Sequence, residues 1–291
     1  MALTSKRAAF FDVDNTLVRG STLYFLGRGM YQRGFFTKAD ISRFVVANLR
    51  FRMTGTEKKE VIEKFQNAAT DFIGGHKVEE IKKIGEEIYD EYVSPKLWQG
   101  TFEIAKSHLD KGEEVWLVTA APQDMANIIA SRLGLTGALG SKASIENGIY
   151  TGVLEGKLLH GNEKAIAIRE LAQVHGFNLD DCYSYSDSHN DIPLLQAVGH
   201  PCAINPDAIL RIRALAEGWP IHDFRRARFI NRLLGPAVSR GAALVPWLVP
   251  ALLSHCQVLH VGLLEFDNHL YLDKSGLYQR APVVQRALIF R

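Results

Sequence analysis

The chain has 291 residues, enough for one large or two ordinary domains and for a full hydrophobic core. Its 47% hydrophobic and 23% charged residues are those of a folded globular protein and exclude a disordered chain or a disulfide-dense scaffold. A net charge of +2 is too small to point to nucleic acid, although Ser21 to Glu60 carries eight basic against three acidic residues and reads either as a solvated helical surface or as a face toward an anion.

Ala8 to Phe11 is a short apolar run ending on Asp12, the pattern of a buried parallel strand with chemistry at its carboxyl end. From residue 21 to 95 no convincing strand follows. Runs such as TEKKEVIEKFQNAATDFI and VEEIKKIGEEIYDEYV repeat apolar residues at spacings of three and four, which predicts a helical insertion. A second strand is predicted from Glu113 to Thr119, with Pro122 opening a helix that reaches about Leu133. GALGSKASIENGIYTGVL mixes turn dipeptides with β-branched residues and predicts a short β excursion. NEKAIAIRELAQVHG reads as a helix closing on Gly176, CYSYSD as a third strand leading to Asp187, DIPLLQAV as a short helix and PCAIN as a last short strand. Strands alternating with helices predict an α/β fold: a Rossmann-like core of parallel strands from residues 1–20 and 96–223, with the helices of 21–95 inserted after the first strand.

In such sheets a ligand sits at the carboxyl ends of the strands, near the point where strand order reverses. The polar residues at these ends are Asp12 and Asp14 after the first strand, Thr119 after the second, and Asp187 and Asp191 after the third, with Lys164 opening the helix before it. Four clustered carboxylates repel one another and resist desolvation, so a hard divalent cation is the natural resolution, and oxygen-only ligands favour Mg²⁺ over zinc. Thr119 and Lys164 supply a hydroxyl donor and a positive charge suited to a phosphate, and backbone N–H groups near Pro122 add to them.

These motifs, DVDNT at Asp12, VWLVTAAP around Thr119, GNEKAIAI around Lys164 and YSYSDSHNDIPLL around Asp187, resemble in order and spacing those of the haloacid dehalogenase superfamily, in its phosphoserine-phosphatase-like branch (subfamily IB). The resemblance covers roughly residues 8–223. It implies that 21–95 forms a helical cap, that Asp12 is a nucleophile accepting a phosphoryl group, and that Asp14 acts as general acid and then base. It implies that Thr119, Ala120 and Lys164 hold the phosphoryl oxygens, and that Asp12, Asp187 and the Asp14 carbonyl bind Mg²⁺. Asp191, Asn190 and Asn205 then support the site, with Asp207 beside Asn205 in INPD. The expected partner is a small phosphomonoester, phosphoserine being compatible; a phosphotransferase, a lipid-phosphate phosphatase at a membrane and a non-catalytic binding module are the alternatives. True phosphoserine phosphatases carry a glutamate where this chain has Ser21, and a serine does not replace that charge. Arg50 and Arg52 are candidates for a substrate carboxylate or second phosphate, against a solvated helix face.

Residues 224–291 form a tail outside the resemblance. Gly241 to Leu264 contains no Lys, Arg, Asp or Glu, and five arginines from Arg225 to Arg240 precede it, a charge asymmetry that would keep the core on the cytoplasmic side of a membrane. Pro246 and Pro250 interrupt a spanning helix, so membrane contact through 241–264 stands beside packing on the core or self-association. Cys182, Cys202 and Cys256, without ligand spacing, read as reduced thiols, and the amino-terminal residues lack a signal-peptide core, so the expected location is cytoplasmic or at the inner face of the membrane.

Overall fold

The computed structural model describes residues 6–35, 37 and 73–225, together with the backbone of 270–272 and 278–280. Strand β1 (Ala8–Phe11) is wholly buried and forms the middle of a parallel sheet. Its side chains alternate between faces, as the two-residue period of a strand requires. Ala8 and Phe10 join Val118, Ile168 and Leu194 in one core, whereas Ala9 and Phe11 join Leu117, Ile129 and Tyr185 in the other. A continuous apolar strand therefore marks a sheet covered on both faces.

Helix α1 (Thr22–Gln32) follows β1, and helix α2 (Val78–Ile88) continues through a π turn at Tyr89–Val93 and a 3-10 turn at Ser94–Lys96. The two helices approach closely at Gly29, where a Cβ would stand 2.4 Å from Ile88. Arg33 ties them by bonding Glu87 and Glu91. Helix α3 (Gln99–Asp110) leads to β2 (Glu114–Pro122), α4 (Gln123–Arg132) and β3 (Gly137–Ser141). The antiparallel pair β4 (Ala143–Glu146) and β5 (Ile149–Leu154) precedes α5 (Asn162–His175), which ends on Gly176 in the left-handed conformation at φ 74°. Strand β6 (Tyr183–Ser186), helix α6 (Ile192–Leu195), β7 (His200–Ile204), α7 (Ala208–Glu217) and β8 (Ile221–His222) complete this unit.

The sheet order is β3-β2-β1-β6-β7-β8, all parallel. The chain winds from β1 through β2 to β3 on one side, then returns to β6 beside β1 and winds the other way, so the switch point lies between β1 and β6. This is the parallel α/β sheet predicted from the sequence, with three corrections. Strand β2 runs on to Pro122, so Thr119 lies within it; the β excursion contributes β3 to the main sheet; and PCAIN is followed by a further edge strand, β8.

Residues Arg228–Arg291 form a second unit, described only by the antiparallel strands β9 (Leu270–Leu272) and β10 (Tyr278–Arg280). The apolar stretch 241–264, Arg50, Arg52 and Cys256 lie outside the described residues. Among the described residues no helix is long and apolar enough to cross a membrane. Cys182 and Cys202 are buried free thiols.

The turn before β7 depends on the absence of a side chain, because a Cβ at Gly199 would fall 1.8 Å from the Asp180 carbonyl oxygen. Gly199→Ala is expected to cost about 2 kcal/mol or more in urea denaturation. Gly27→Ala, with nothing within 4 Å of the added carbon, should instead stabilise α1 by up to about 1 kcal/mol.

Candidate active site

Asp12 leaves β1 at the switch point and is pinned there by its own backbone, whose N–H donates to the Tyr185 carbonyl of β6 at 2.9 Å. Its carboxylate is buried and accepts from two sides: Thr16 Oγ1 donates to Oδ2 at 3.0 Å and Lys164 Nζ to Oδ1 at 2.6 Å. Lys164 lies in the first turn of α5, after Gly161 at φ 56° turns the chain into the helix. Its ammonium also donates to Asp191 Oδ2 at 2.7 Å, which accepts from Ser186 Oγ at 2.7 Å. Asp12, Lys164, Asp191 and Ser186 thus form one buried network across β1, α5 and the turn after β6.

The other predicted carboxylates are placed differently. Asp187 follows β6, half-buried, and its carbonyl accepts from the Asp207 N–H at 2.8 Å. Asp14 turns its side chain toward α1, where Oδ1 accepts the backbone N–H of Thr22 at 2.8 Å and the Thr22 hydroxyl. Thr119 is buried where the register of β2 against β3 shifts, and its Oγ1 accepts from the Ala121 N–H at 3.1 Å. The hydroxyl keeps its own proton to donate. Ala120 is fixed beside it by the Ser141 hydroxyl, which donates to its carbonyl at 2.9 Å.

The electrostatics of the cluster are unbalanced. Burial pushes Asp12 up to about 7, with Lys164 pulling it down and the Asp191 and Asp14 charges pushing it further up. Asp187 is pushed up to about 8, first by burial and then by Asp12 and Asp191. Burial works against the Lys164 ammonium, but its two carboxylate partners outweigh it and hold the amine above its ordinary value. Burial and the nearby Lys164 charge both lower His160. One ammonium does not satisfy these carboxylates, and a hard cation fits the deficit. Among the described residues no three Asp, Glu, His or Cys side chains converge as a ready-made metal cage. Two carboxylates with a backbone carbonyl are instead the sparse oxygen set that suits Mg²⁺, which retains much of its water.

Other expected residues have structural work. Ser21 is the N-cap of α1, its Oγ accepting from the Tyr24 N–H at 3.5 Å. Asn190 is exposed and its side-chain amide donates to the Ser188 hydroxyl. Asn205 is buried: its amide donates to the Asn15 carbonyl at 3.2 Å and its Oδ1 accepts from the Phe224 N–H at 2.8 Å. Asp207 caps α7 and accepts from the backbone and ring of His189. Thr16, Thr22 and Ser186, which contact the acidic residues directly, escaped the sequence reading. Thr16 carried a signal, four residues after Asp12 in DVDNT; a lone serine before Asp187 carried none.

The family profile described as haloacid dehalogenase-like hydrolase matches residues 9–196. Phosphoserine phosphatase SerB1 of Mycobacterium tuberculosis is 50% identical over 237 residues, covering 81% of this chain and 77% of that protein. A crystal structure of a Bordetella pertussis protein of unknown function superposes with a TM-score of 0.67 at 27% identity, over 76% of this chain and 100% of the other. A phosphoserine phosphatase solved as a phospho-aspartyl intermediate analogue shares the fold, with a TM-score of 0.52 at 23% identity over 76% of this chain and 95% of its own. The chain belongs to the haloacid dehalogenase-like hydrolases, and it is a phosphatase of that family.

Replacing Lys164 with Met removes the only ammonium bonded to Asp12 and Asp191 among the described residues. Lys164→Met is expected to lose about 3–5 kcal/mol at pH 8 in EDTA, as for a broken buried pair. The deficit should shrink at pH 5, where the stranded Asp12 carboxyl takes up a proton; urea denaturation at both values checks the difference.

Proposed function

We propose that this chain is a Mg²⁺-dependent phosphomonoesterase acting through a phosphorylated Asp12 on a small phosphorylated metabolite. The observation that carries the reading is the Lys164 ammonium shared by Asp12 Oδ1 and Asp191 Oδ2 at the switch point of the sheet. It sets a positive donor beside a carboxylate held at the strand end where ligands enter such folds.

In the first half-reaction an Asp12 carboxylate oxygen bonds to phosphorus as the phosphorus–oxygen ester bond breaks, and Asp14 gives its proton to the departing alkoxide. In the second, Asp14 takes a proton from water, the water oxygen bonds to phosphorus, and the Asp12 acyl phosphate opens to release inorganic phosphate. The Thr22 bonds both fall on Asp14 Oδ1, so Oδ2 is the oxygen suited to carry the proton. Lys164, the Thr119 hydroxyl and the backbone at Ala120 hold the phosphoryl oxygens as charge builds on them. Asp12, Asp187 and the Asp14 carbonyl would hold Mg²⁺, which when bound supplies the positive charge that keeps Asp12 ionised and balances the phosphoryl oxygens. Residues 21–95 serve as a cap that keeps bulk water out while the phosphoryl group passes to Asp12 and restricts the site to small esters. The names of the relatives favour phosphoserine-like esters, while Ser21, spent on capping α1, leaves recognition of the rest of the substrate to other cap residues.

Asp12→Asn is expected to reduce Mg²⁺-dependent phosphate release from p-nitrophenyl phosphate by roughly a thousandfold or more, with an unchanged melting temperature or a raised one. Ordinary turnover in that variant would falsify the assignment. Asp14→Asn should lose roughly 10²- to 10⁴-fold in the same assay.

A second test needs no turnover. The folded-state pKa values of Asp12 and Asp187 lie above the unfolded value of 3.8, so the folded chain binds protons more tightly. Stability in EDTA should therefore be greatest near pH 4 in their contribution and decline as pH rises through about 7 to 8. Added Mg²⁺ should restore stability at pH 8 in the wild type, and much less in Asp187→Asn; thermal melts would show it.

A further inference from the structure

Strand β8 ends at the same carboxyl edge of the parallel sheet as β1, β6 and β7, and Arg225 follows it shortly after. Its guanidinium is fixed from two directions. Nε donates to Asp223 Oδ1 at 2.9 Å and Nη2 to Asp223 Oδ2 at 2.7 Å, a two-pronged fork, while Nη2 also donates to the Pro206 carbonyl at 3.1 Å. The Nη1 edge has no partner among the described residues, and the side chain is 47% exposed. A half-exposed ion pair adds little stability, so what the fork secures is the orientation of a planar cation with one donor edge left over.

The anchors of this arginine are also anchors of the candidate site. Pro206 precedes Asp207, whose N–H donates to the Asp187 carbonyl at 2.8 Å. Phe224, the residue before Arg225, donates its N–H to Asn205, which in turn donates to the Asn15 carbonyl in the turn after Asp12 and Asp14. The guanidinium therefore stands one loop away from Asp187. Hydrogen bonding to Asp223 is the main influence holding Arg225 protonated; burial opposes it, and the charges of Asp223 and then of Asp187 reinforce it. Yet Asp187 is not its partner, since among the described residues only Asp223 lies within ion-pair distance of Arg225.

The charge at this corner is positive. Asp223 also pairs with Arg211 at 2.6 Å, so two guanidiniums share one carboxylate and one positive charge is left unbalanced. The Arg225 hydrogen bonds, opposed by burial and joined by the Arg225 and Arg211 charges, hold Asp223 down at about 2 and keep it ionised. Asp207, the neighbouring carboxylate, is taken up by His189 and by the cap of α7. A pre-oriented planar cation with a free donor edge, beside the loop of a proposed metal ligand, is suited to receive an oxyanion.

We propose that Arg225 is a substrate-selecting residue, whose Nη1 edge binds a second anionic group of the ester, a carboxylate or a further phosphate, while the phosphoryl group being transferred lies against Lys164 and Asp12. The inference rests on the phosphomonoesterase reading and adds a residue of the sheet edge to the cap residues that recognise the substrate.

The test is titration calorimetry of the full chain in Mg²⁺ with propylphosphonate, phosphonopropionate and ethylene bisphosphonate, unhydrolysable ligands that differ in ending on a methyl, a carboxylate or a phosphonate. The wild type should bind at least one of the two doubly anionic ligands about tenfold more tightly than propylphosphonate, and which one it prefers separates carboxylate from phosphate. In Arg225→Gln that preference should disappear. A merely structural loss would weaken all three ligands alike and leave the ratio unmoved, which would overturn the proposal. Should Arg225→Gln melt well below the wild type, Arg225→Lys, which keeps the charge but not the fork, should cut the preference about threefold. A wild type without preference, or one that binds none of the three, would also overturn it. Phosphate release from p-nitrophenyl phosphate is measured alongside. Turnover without a preference leaves the reaction standing and removes the Arg225 contact; a preference lost in Arg225→Gln but unaccompanied by turnover does the reverse.

Discussion

Everything at the candidate site depends on one buried ammonium standing between two carboxylates. Lys164 reaches Asp12 across 152 residues of sequence and Asp191 across 27, joining the ends of β1, α5 and β6. Such a cluster is not a source of stability: apolar residues of the same size often do as well or better in a core. The arrangement makes sense as preorganisation, in which charged groups are held in place before any ligand arrives. The sheet supports this arrangement. Asp12 follows a strand buried on both faces and hydrogen-bonded on both edges, so the proposed nucleophile is positioned by a tightly constrained part of the sheet.

The same burial explains why the site is electrostatically incomplete. Asp12 and Asp187 are both pushed toward protonation although Lys164 lies among them, because desolvation exceeds what one ammonium returns. The fold thus stores a demand for positive charge at the carboxyl ends of β1 and β6. A phosphate ester brings negative charge, so the demand for a cation grows when substrate binds.

Much of this was legible in the sequence because a strand and a helix signal their ends. AAFF followed by Asp12, CYSYS followed by Asp187, and Gly161 ahead of Lys164 each place a polar residue where an apolar run stops, and these are the residues the structure gathers or sets close by. What escaped was information carried by tertiary contact. The length of β2 past Thr119 is set by its irregular pairing with β3, and the short edge strand β8 by pairing with β7, neither of which leaves a periodic pattern. Thr16, Thr22 and Ser186 are small hydroxyl residues whose sequence context also fits turns and caps; only the geometry shows that their protons point at Asp12, Asp14 and Asp191. Ser21 is the converse case, since a residue weighed for substrate contact has the geometry of a helix cap.

The buried side chain of Asn205 has a mechanical meaning. One end of its amide grips the carbonyl of Asn15 in the turn after Asp12 and Asp14, and the other grips the N–H of Phe224, where the chain leaves the sheet. Its backbone stands at φ 47°, a conformation that a side chain anchored at both ends helps to hold. The loop bearing the proposed nucleophile and the strand exit toward the carboxyl terminus are therefore fastened to a single rigid link. A tug or twist at Phe224 is delivered within two hydrogen bonds to the turn that follows Asp12, so whatever restrains the end of the chain also bears on the tautness of the reaction centre.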